Sequence, residues 1–516
     1  MSAIITDQLR ILNAKNFVAA ATSSLNSYYS FVGLTNSTDY SSTWESNPPA
    51  PKDSFEQEND YWDTMVALKK IKATDVSQVV RKITWQSGIT YDMYRHDISR
   101  TNTSNPSGST SLYGANYYVI NSDYRVYICL HNGTDPENPS GRPSLDEPNF
   151  TDLEPKAAGD SGDGYIWKYL YTIKPSEIIK FDSVNFIPVP KDWETNSEFS
   201  SIRTNASASN NQLKIITITN RGVGLGVPNR IYTDVPIKGD GIGAKATIVI
   251  NNDSKVESIT ISSGGSGYTY GTVDLEGGNV PTGTTKPTFD VIIPPKGGHG
   301  SDIYRELGAY NVLIYSRIDN DLENPDFITG NKIARVGIVE NPQAYNSTSL
   351  LNIEKASAVY ALKLVGDGYD TATFSPNSRF TQTISTGTTA VGRVVSYDQN
   401  TGVLKYWQDK SLVGFNTDGT QNSSPMYGIN LNRFTSSVGS GGTTFIDGTN
   451  LRIDTSFIGV STIINSRTYN LGQLFTNGVS NPEVKKYSGN IIYIDNRPSI
   501  TRSINQKEDI KVVLQF

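Results

Sequence analysis

The chain has 516 residues, with 45 Lys+Arg against 51 Asp+Glu, a net charge of −6, 3 His and 1 Cys. Charged residues make up 19% and aromatics 10%, including 29 Tyr, beside 44 Gly and 24 Pro, which describes a turn-rich β protein and not a disordered one. Cys129 alone excludes an internal disulfide framework, and so few His and Cys leave little for a four-ligand zinc site. No basic run points to nucleic acid, and no stretch of roughly 18 apolar residues predicts a membrane span.

At this length about three domains are expected. Asp7, Arg10, Asn13, Lys15 and Asn16 interrupt the apolar stretch that a secretory signal would need before Phe17–Ala21, so the chain is expected to be made in a cytoplasm and left unprocessed. Ile5, Leu9 and Leu12 recur at helical spacing and predict a helix continuing to Leu25. A second helix is signed by Ser54-Phe55-Glu56-Gln57, which has the form of a capping box, with Tyr61, Met65 and Leu68 following at i, i+4, i+7. Between them Trp44–Pro51 is expected to be extended, because each Pro biases its predecessor away from the helical region. Two helices packed on a sheet is the plain reading of this region; a dimer seam is the sharper one.

From about residue 80 the period changes to two. Tyr124–Leu130 and Tyr165–Ile173 alternate as strands, the second with four aromatics on one face. Further strands are predicted at Tyr310–Ile318, Arg335–Val339, Val359–Val365, Val391–Tyr397, Val403–Trp407, Asn490–Ile494 and Lys511–Phe516, with single helical turns at Ser176–Ile179 and Asp302–Leu307. The chain therefore reads as mainly β. Ile216–Gly224 aligns with Ile259–Gly267, each an alternating strand running into a Gly-rich turn. Two copies are too few for a solenoid, so a compact β module over 206–296 is expected. Strands at Ala246–Ile250 and Phe289–Ile293 would complete it, and Pro294–Gly300 would be its exit linker.

Local chemistry is sparse. Gly159-Asp160-Ser161-Gly162 invites a serine-protease reading, but none of His96, His131 and His299 lies in a matching context. Asp160 and Asp163 sit in a Gly-rich turn without the ligand series of a calcium loop. Gly239–Thr247 lacks Walker spacing and runs into a strand, so it reads as a turn. Asn36-Ser37-Thr38 and Asn132-Gly133-Thr134 are glycosylation sequons only in a secreted eukaryotic chain. Alternating Tyr and Trp can bind sugars, but ordinary sheet packing explains them first. No local motif marks a glycosidase carboxylate pair, whose spacing the fold would set.

Several segments, in consistent order, resemble a known family. Ser488–Pro498, running on through Gln506, Glu508 and Ile510 to Phe516, is similar to the C-terminal signature of a baseplate wedge protein of T-even-type contractile-tailed bacteriophages, the dimeric β-sandwich subunit. Gly162-Asp163-Gly164-Tyr165-Ile166-Trp167-Lys168-Tyr169-Leu170 resembles its central strand. Tyr28–Gly33, the Trp44 and Pro48-Pro49 region, Asp60-Tyr61-Trp62, Tyr127–Leu130 and Asn331–Val339 with Asn341-Pro342 also agree. The resemblance covers about 1–205, 300–350 and 480–516.

It implies a mainly-β fold: a β-sandwich body with N-terminal helices over 1–205, 297–351 and 480–516, carrying β-rich insertions at 206–296 and 352–479. It also implies a non-enzymatic structural subunit without cofactor, metal, nucleic acid, membrane insertion or small-molecule substrate. Such a subunit would be a homodimer among other wedge proteins in the virion's tail baseplate, assembled in the host cytoplasm and taking part in the rearrangement before sheath contraction. Subunit contacts are expected at Trp44, Pro48, Pro49, Tyr61, Trp62 and Met65. Gly162, Asp163, Gly164, Tyr165, Trp167, Asn496, Arg497 and Pro498 are expected to be structural. The rival readings are a receptor- or glycan-binding tail fibre or spike, and a glycan depolymerase.

Overall fold

The computed structural model describes residues 6–35, 44–207, 212–319, 325–408, 432–503 and 506–516, the side chains of Phe55, Glu56 and Ser207 excepted. Strand accounts for 39% and helix for 11%, so the fold is mainly β. The chain forms two compact units: Met1–Val18, Ser77–Leu313 and Val513–Phe516 make the first, Ala19–Val76 and Ile314–Val512 the second. The expected body segments contribute to both.

In the first unit, Tyr118–Ile120, Arg125–Asn132 and Tyr165–Thr172 form an antiparallel sheet. Tyr165–Thr172 is not one-sided as simple alternation implied: Tyr165, Trp167, Lys168, Leu170 and Tyr171 are all buried. Its register shifts twice against Arg125–Asn132, and such irregularities twist a strand and re-aim its side chains. The Lys168 ammonium is satisfied inside by the Leu153 carbonyl at 2.6 Å and Asn205 Oδ1 at 2.9 Å.

A separate apolar cluster runs from Leu213 to Ile293, within the stretch 206–296 and inside the first unit. The repeat does not give equivalent pairings. Ile215–Asn220 pairs with Thr288–Ile292, whereas Val256–Ser266 pairs with Ile242–Ile250 in a four-stranded sheet. Pro294–Gly300 is packed structure and not a free linker. His299 is buried with Nδ1 2.6 Å from Glu306 Oε1, and the Gly300 N–H donates to Glu306 Oε2 at 2.6 Å. Gly298, at φ +86, passes so close to the helix Ser200–Ser207 that a Cβ would sit 2.2 Å from the Ala206 carbonyl oxygen. The glycine there permits close backbone approach.

The helix Ser200–Ser207 was not anticipated. Among its described side chains only Ile202 and Ala206 are buried, and one i, i+4 pair is too little periodicity to read. Ser176–Ile179 belongs to a helix over Pro175–Phe181, and Asp302 caps Ile303–Leu307 through a bond from the Arg305 N–H.

The second unit contains an antiparallel five-stranded sheet in the order Lys355–Ser357, Met65–Lys70, Tyr28–Gly33, Lys332–Glu340, Asn490–Thr501. The stretch 352–479 supplies most of a six-stranded sheet running Arg379–Ser385, Thr388–Asp398, Val403–Trp407, Tyr360–Val365 and Arg452–Ile453, with Val479–Ser480 also on Tyr360–Val365.

The second helix starts as expected, Ser54 Oγ accepting the Gln57 N–H at 3.3 Å. It ends at Thr64, however, and Met65 turns to φ −61, ψ 130 to open the strand Met65–Lys70. Met65, Val66, Ala67 and Leu68 are buried together. Such a four-residue apolar run suits a strand covered on both faces and also mimics helical spacing. Trp44–Ser46 form a turn, and Pro48–Pro51 follow without regular structure, in place of a continuous extended segment.

Candidate functional site: a buried arginine node

Arg335 lies in the strand Lys332–Glu340, opposite Gly33 on one side and Asn496 on the other. Its side chain is 1% exposed. A guanidinium removed from water needs paired charge and filled donor positions, and two distant segments supply them. Nη1 lies 2.7 Å from Asp60 Oδ2 and donates to Thr64 Oγ1 at 2.8 Å, while Nε donates to Asn496 Oδ1 at 3.2 Å. The cation also lies over two aromatic faces, 5.1 Å from the Tyr61 centroid and 5.4 Å from that of Trp44, where the ring quadrupoles attract it.

The surrounding bonds tie the same segments together. Asn496 Nδ2 donates to the Pro49 carbonyl and Trp44 Nε1 to the Arg497 carbonyl, both at 2.9 Å. Glu45 accepts from Ser499 Oγ at 2.5 Å and pairs with Lys332 at 2.8 Å. Asn496→Ala removes the acceptor for Arg335 Nε and the donor to Pro49, so a loss of about 1–3 kcal/mol is expected in urea unfolding of the second unit.

Four of the expected subunit-contact residues are therefore interior. Trp44, Tyr61, Trp62 and Met65 keep at most 4% of their surface, too little to offer a partner. Trp44 and Tyr61 line the node; Trp62 and Met65 pack with Tyr29, Phe31, Leu68 and Val339. Pro48 is half-buried and Pro49 exposed. Arg497 and Pro498 are exposed, with Arg497 Nε 2.5 Å from Asp495 Oδ2. Sequence reading flagged these flanks but missed Arg335 as their centre.

The Gly162–Trp167 motif is structural in its geometry. Asp163 Oδ2 accepts the Leu145 N–H and Oδ1 the Tyr165 N–H, both at 2.9 Å. The Tyr165 hydroxyl donates to the Arg142 carbonyl at 2.8 Å, and its ring stacks on Trp167 at 5.3 Å. Gly162 and Gly164 both take positive φ, which this tight entry to the strand requires.

No histidine reaches Ser161 among the described residues. His131 Nδ1 accepts the Gly133 N–H at 3.0 Å, His96 Nδ1 accepts the Ile293 N–H at 3.3 Å, and His299 faces Glu306. Burial holds both His96 and His131 below the usual imidazole range and pushes the Cys129 thiol up. Among the described residues no three His, Cys, Asp or Glu group as a metal site. Gly239–Thr247 spans the turn between the paired strands Ile231–Gly239 and Ile242–Ile250. Asn132 is buried and donates to the Tyr91 carbonyl at 2.9 Å, whereas Asn36–Thr38 lies outside the described residues. Trp44, Trp62, Trp167, Trp193 and Trp407 are fully buried, which removes them as sugar platforms.

A second interior charge group left no local signal in the sequence. Lys405 Nζ donates to the Pro325 carbonyl at 3.0 Å and lies 3.8 Å from Asp326 Oδ1, while Glu483 Oε2 accepts the Ser357 N–H at 2.8 Å. Burial, reinforced by Asp326, raises the Glu483 carboxyl to about 7, and burial lowers Lys405. A carboxyl whose folded pKa is raised contributes stability below its unfolded pKa and loses it as pH rises through the folded value. The second unit should therefore weaken between pH 5 and 8, by on the order of 2 kcal/mol. Glu483→Gln should flatten that dependence, read by thermal unfolding across the same window.

No protein-family model matches the chain, and no curated protein shows significant similarity to it.

Proposed function

We propose that the chain is a non-enzymatic structural subunit of a contractile phage tail baseplate wedge. It would be a homodimer in the virion that contacts other wedge proteins and takes part in the rearrangement preceding sheath contraction. The observation that supports this reading is the convergence on Arg335 of separate segments that carry the family resemblance: Trp44–Pro49, Asp60–Tyr61, Asn331–Val339 and Asn496–Arg497. A body braced in this way would move as a rigid piece while its interfaces repack.

Mass spectrometry of purified contractile-tailed particles tests the reading. The chain is expected in the baseplate fraction at fixed stoichiometry to the other wedge proteins, and as a dimer by light scattering when purified alone. A stable trimer that binds host polysaccharide would favour a fibre or spike instead. Release of reducing ends from host capsule would make it a depolymerase.

A further inference from the structure

The strand Asn490–Thr501 is the last of its sheet and pairs only with Lys332–Glu340. Its two halves differ. Asp495, Arg497 and Pro498 supply the charge and the missing N–H that protect edge strands against strand addition. Asn490-Ile491-Ile492-Tyr493-Ile494 has neither; its one irregularity is a bulge at Ile492, between Tyr493 opposite Ile338 and Ile491 opposite Val339, and Ile492 keeps 38% exposure. A β-branched edge that carries neither charge nor Pro is a template for another chain unless something covers it.

Along this half lies an open groove of about 420 Å³. Asn490–Ile494 line one side; Pro51, Lys52, Asp53, Ser54, Glu58 and Tyr61 line the other. Tyr61 steadies that far wall, its hydroxyl accepting the Lys52 N–H at 3.3 Å.

We infer that Asn490–Ile494 takes up an extended segment of another polypeptide as a sixth strand of the sheet. This inference rests on the assembly reading above. Main-chain bonds to the strand edge would give affinity, and a side chain against Ile492 would set register. The far wall argues for a single extended segment over a second copy of the same edge. A second copy would bring its own Pro51–Ser54 wall into the same space, whereas one strand needs only the spacing of about 4.8 Å to its neighbour. The rim carries Asp53 and Glu58 against Lys52, and none of the three is in an ion pair among the described residues. Its net charge is negative, so the segment that fits is apolar with a basic residue facing that wall.

Amide hydrogen exchange compares the purified chain with the chain in intact particles. The expected result is that amides within Asn490–Ile494 exchange at least tenfold more slowly in particles. Ile492→Lys, which adds an edge-protecting charge at an exposed position, should melt as wild type and enter particles at least tenfold less. A chain present in particles with Asn490–Ile494 unprotected overturns this inference and leaves the assembly reading standing. Absence from particles overturns both. Protection already seen in the purified chain and rising with its concentration would make the occupant a second copy and overturn the inference.

Discussion

Arg335→Met is expected to destabilise the second unit by about 3–5 kcal/mol, the range for removing one partner of a buried ion pair. The substitution keeps most of the side-chain volume, so the loss isolates charge and hydrogen bonding from packing. Asp60, itself only 7% exposed, would lose the cation 2.7 Å from its carboxylate, and Thr64 and Asn496 would lose a donor. Arg335→Lys should fall between the two, because an ammonium keeps the charge but cannot span Asp60, Thr64 and Asn496 with a planar fork. Adding Asp60→Asn to Arg335→Met should recover part of the loss by removing the stranded charge. Urea unfolding followed by tryptophan fluorescence reads all of these, since Trp44 lies 5.4 Å from the guanidinium. A loss below about 1 kcal/mol for Arg335→Met would mean that the node is solvated in solution, with the value of an ordinary surface pair.

What the sequence disclosed depended on how local the governing interaction is. Val403–Trp407 was readable to the residue, because a short β-branched and aromatic run bounded by a Gly-containing turn reads as a strand. The start of the helix Phe55–Thr64 was readable through Ser54, whose capping bond spans three residues. Its end was not, because Met65–Leu68 satisfies both periodicities and only pairing with Tyr28–Gly33 decides between them.

Arg335 shows the same limit at a site. In an alternating strand an arginine reads as a solvent-facing residue, and its burial follows from Asp60, Tyr61 and Asn496, all more than a hundred residues away. Pro294–Gly300 misled in the opposite direction. Composition signalled a linker, but Gly298 makes room for the Ala206 carbonyl and the Gly300 N–H bonds the Glu306 carboxylate that His299 also faces. Trp44 and Tyr61 were expected at subunit contacts and Asn496 as a structural residue, yet all three meet at Arg335. Sequence does not separate the two roles, because a buried brace and a subunit contact draw on the same aromatic and Arg-rich vocabulary.

Trp62 separates those two roles. Trp62→Ala is expected to cost about 3–5 kcal/mol, the range for emptying a large aromatic site in a core. Its side chain is fully buried among Tyr29, Phe31, Met65, Leu68 and Val339, with Tyr487 at 6.4 Å. Trp62→Phe should cost far less, about 1 kcal/mol or below. The indole N–H has no hydrogen-bond partner among the described residues, and deleting an unsatisfied buried donor offsets part of the lost packing. If Trp62 were a subunit anchor, Trp62→Phe would weaken association at unchanged unfolding free energy. For an interior residue the order is reversed: association by light scattering stays as in wild type for Trp62→Phe, and Trp62→Ala loses association only at denaturant concentrations where the second unit has itself unfolded. Subunit contacts, if the chain dimerises, then have to come from surface that remains exposed, such as Pro49 and Pro498, and not from the aromatic residues that the node and its neighbouring core already enclose.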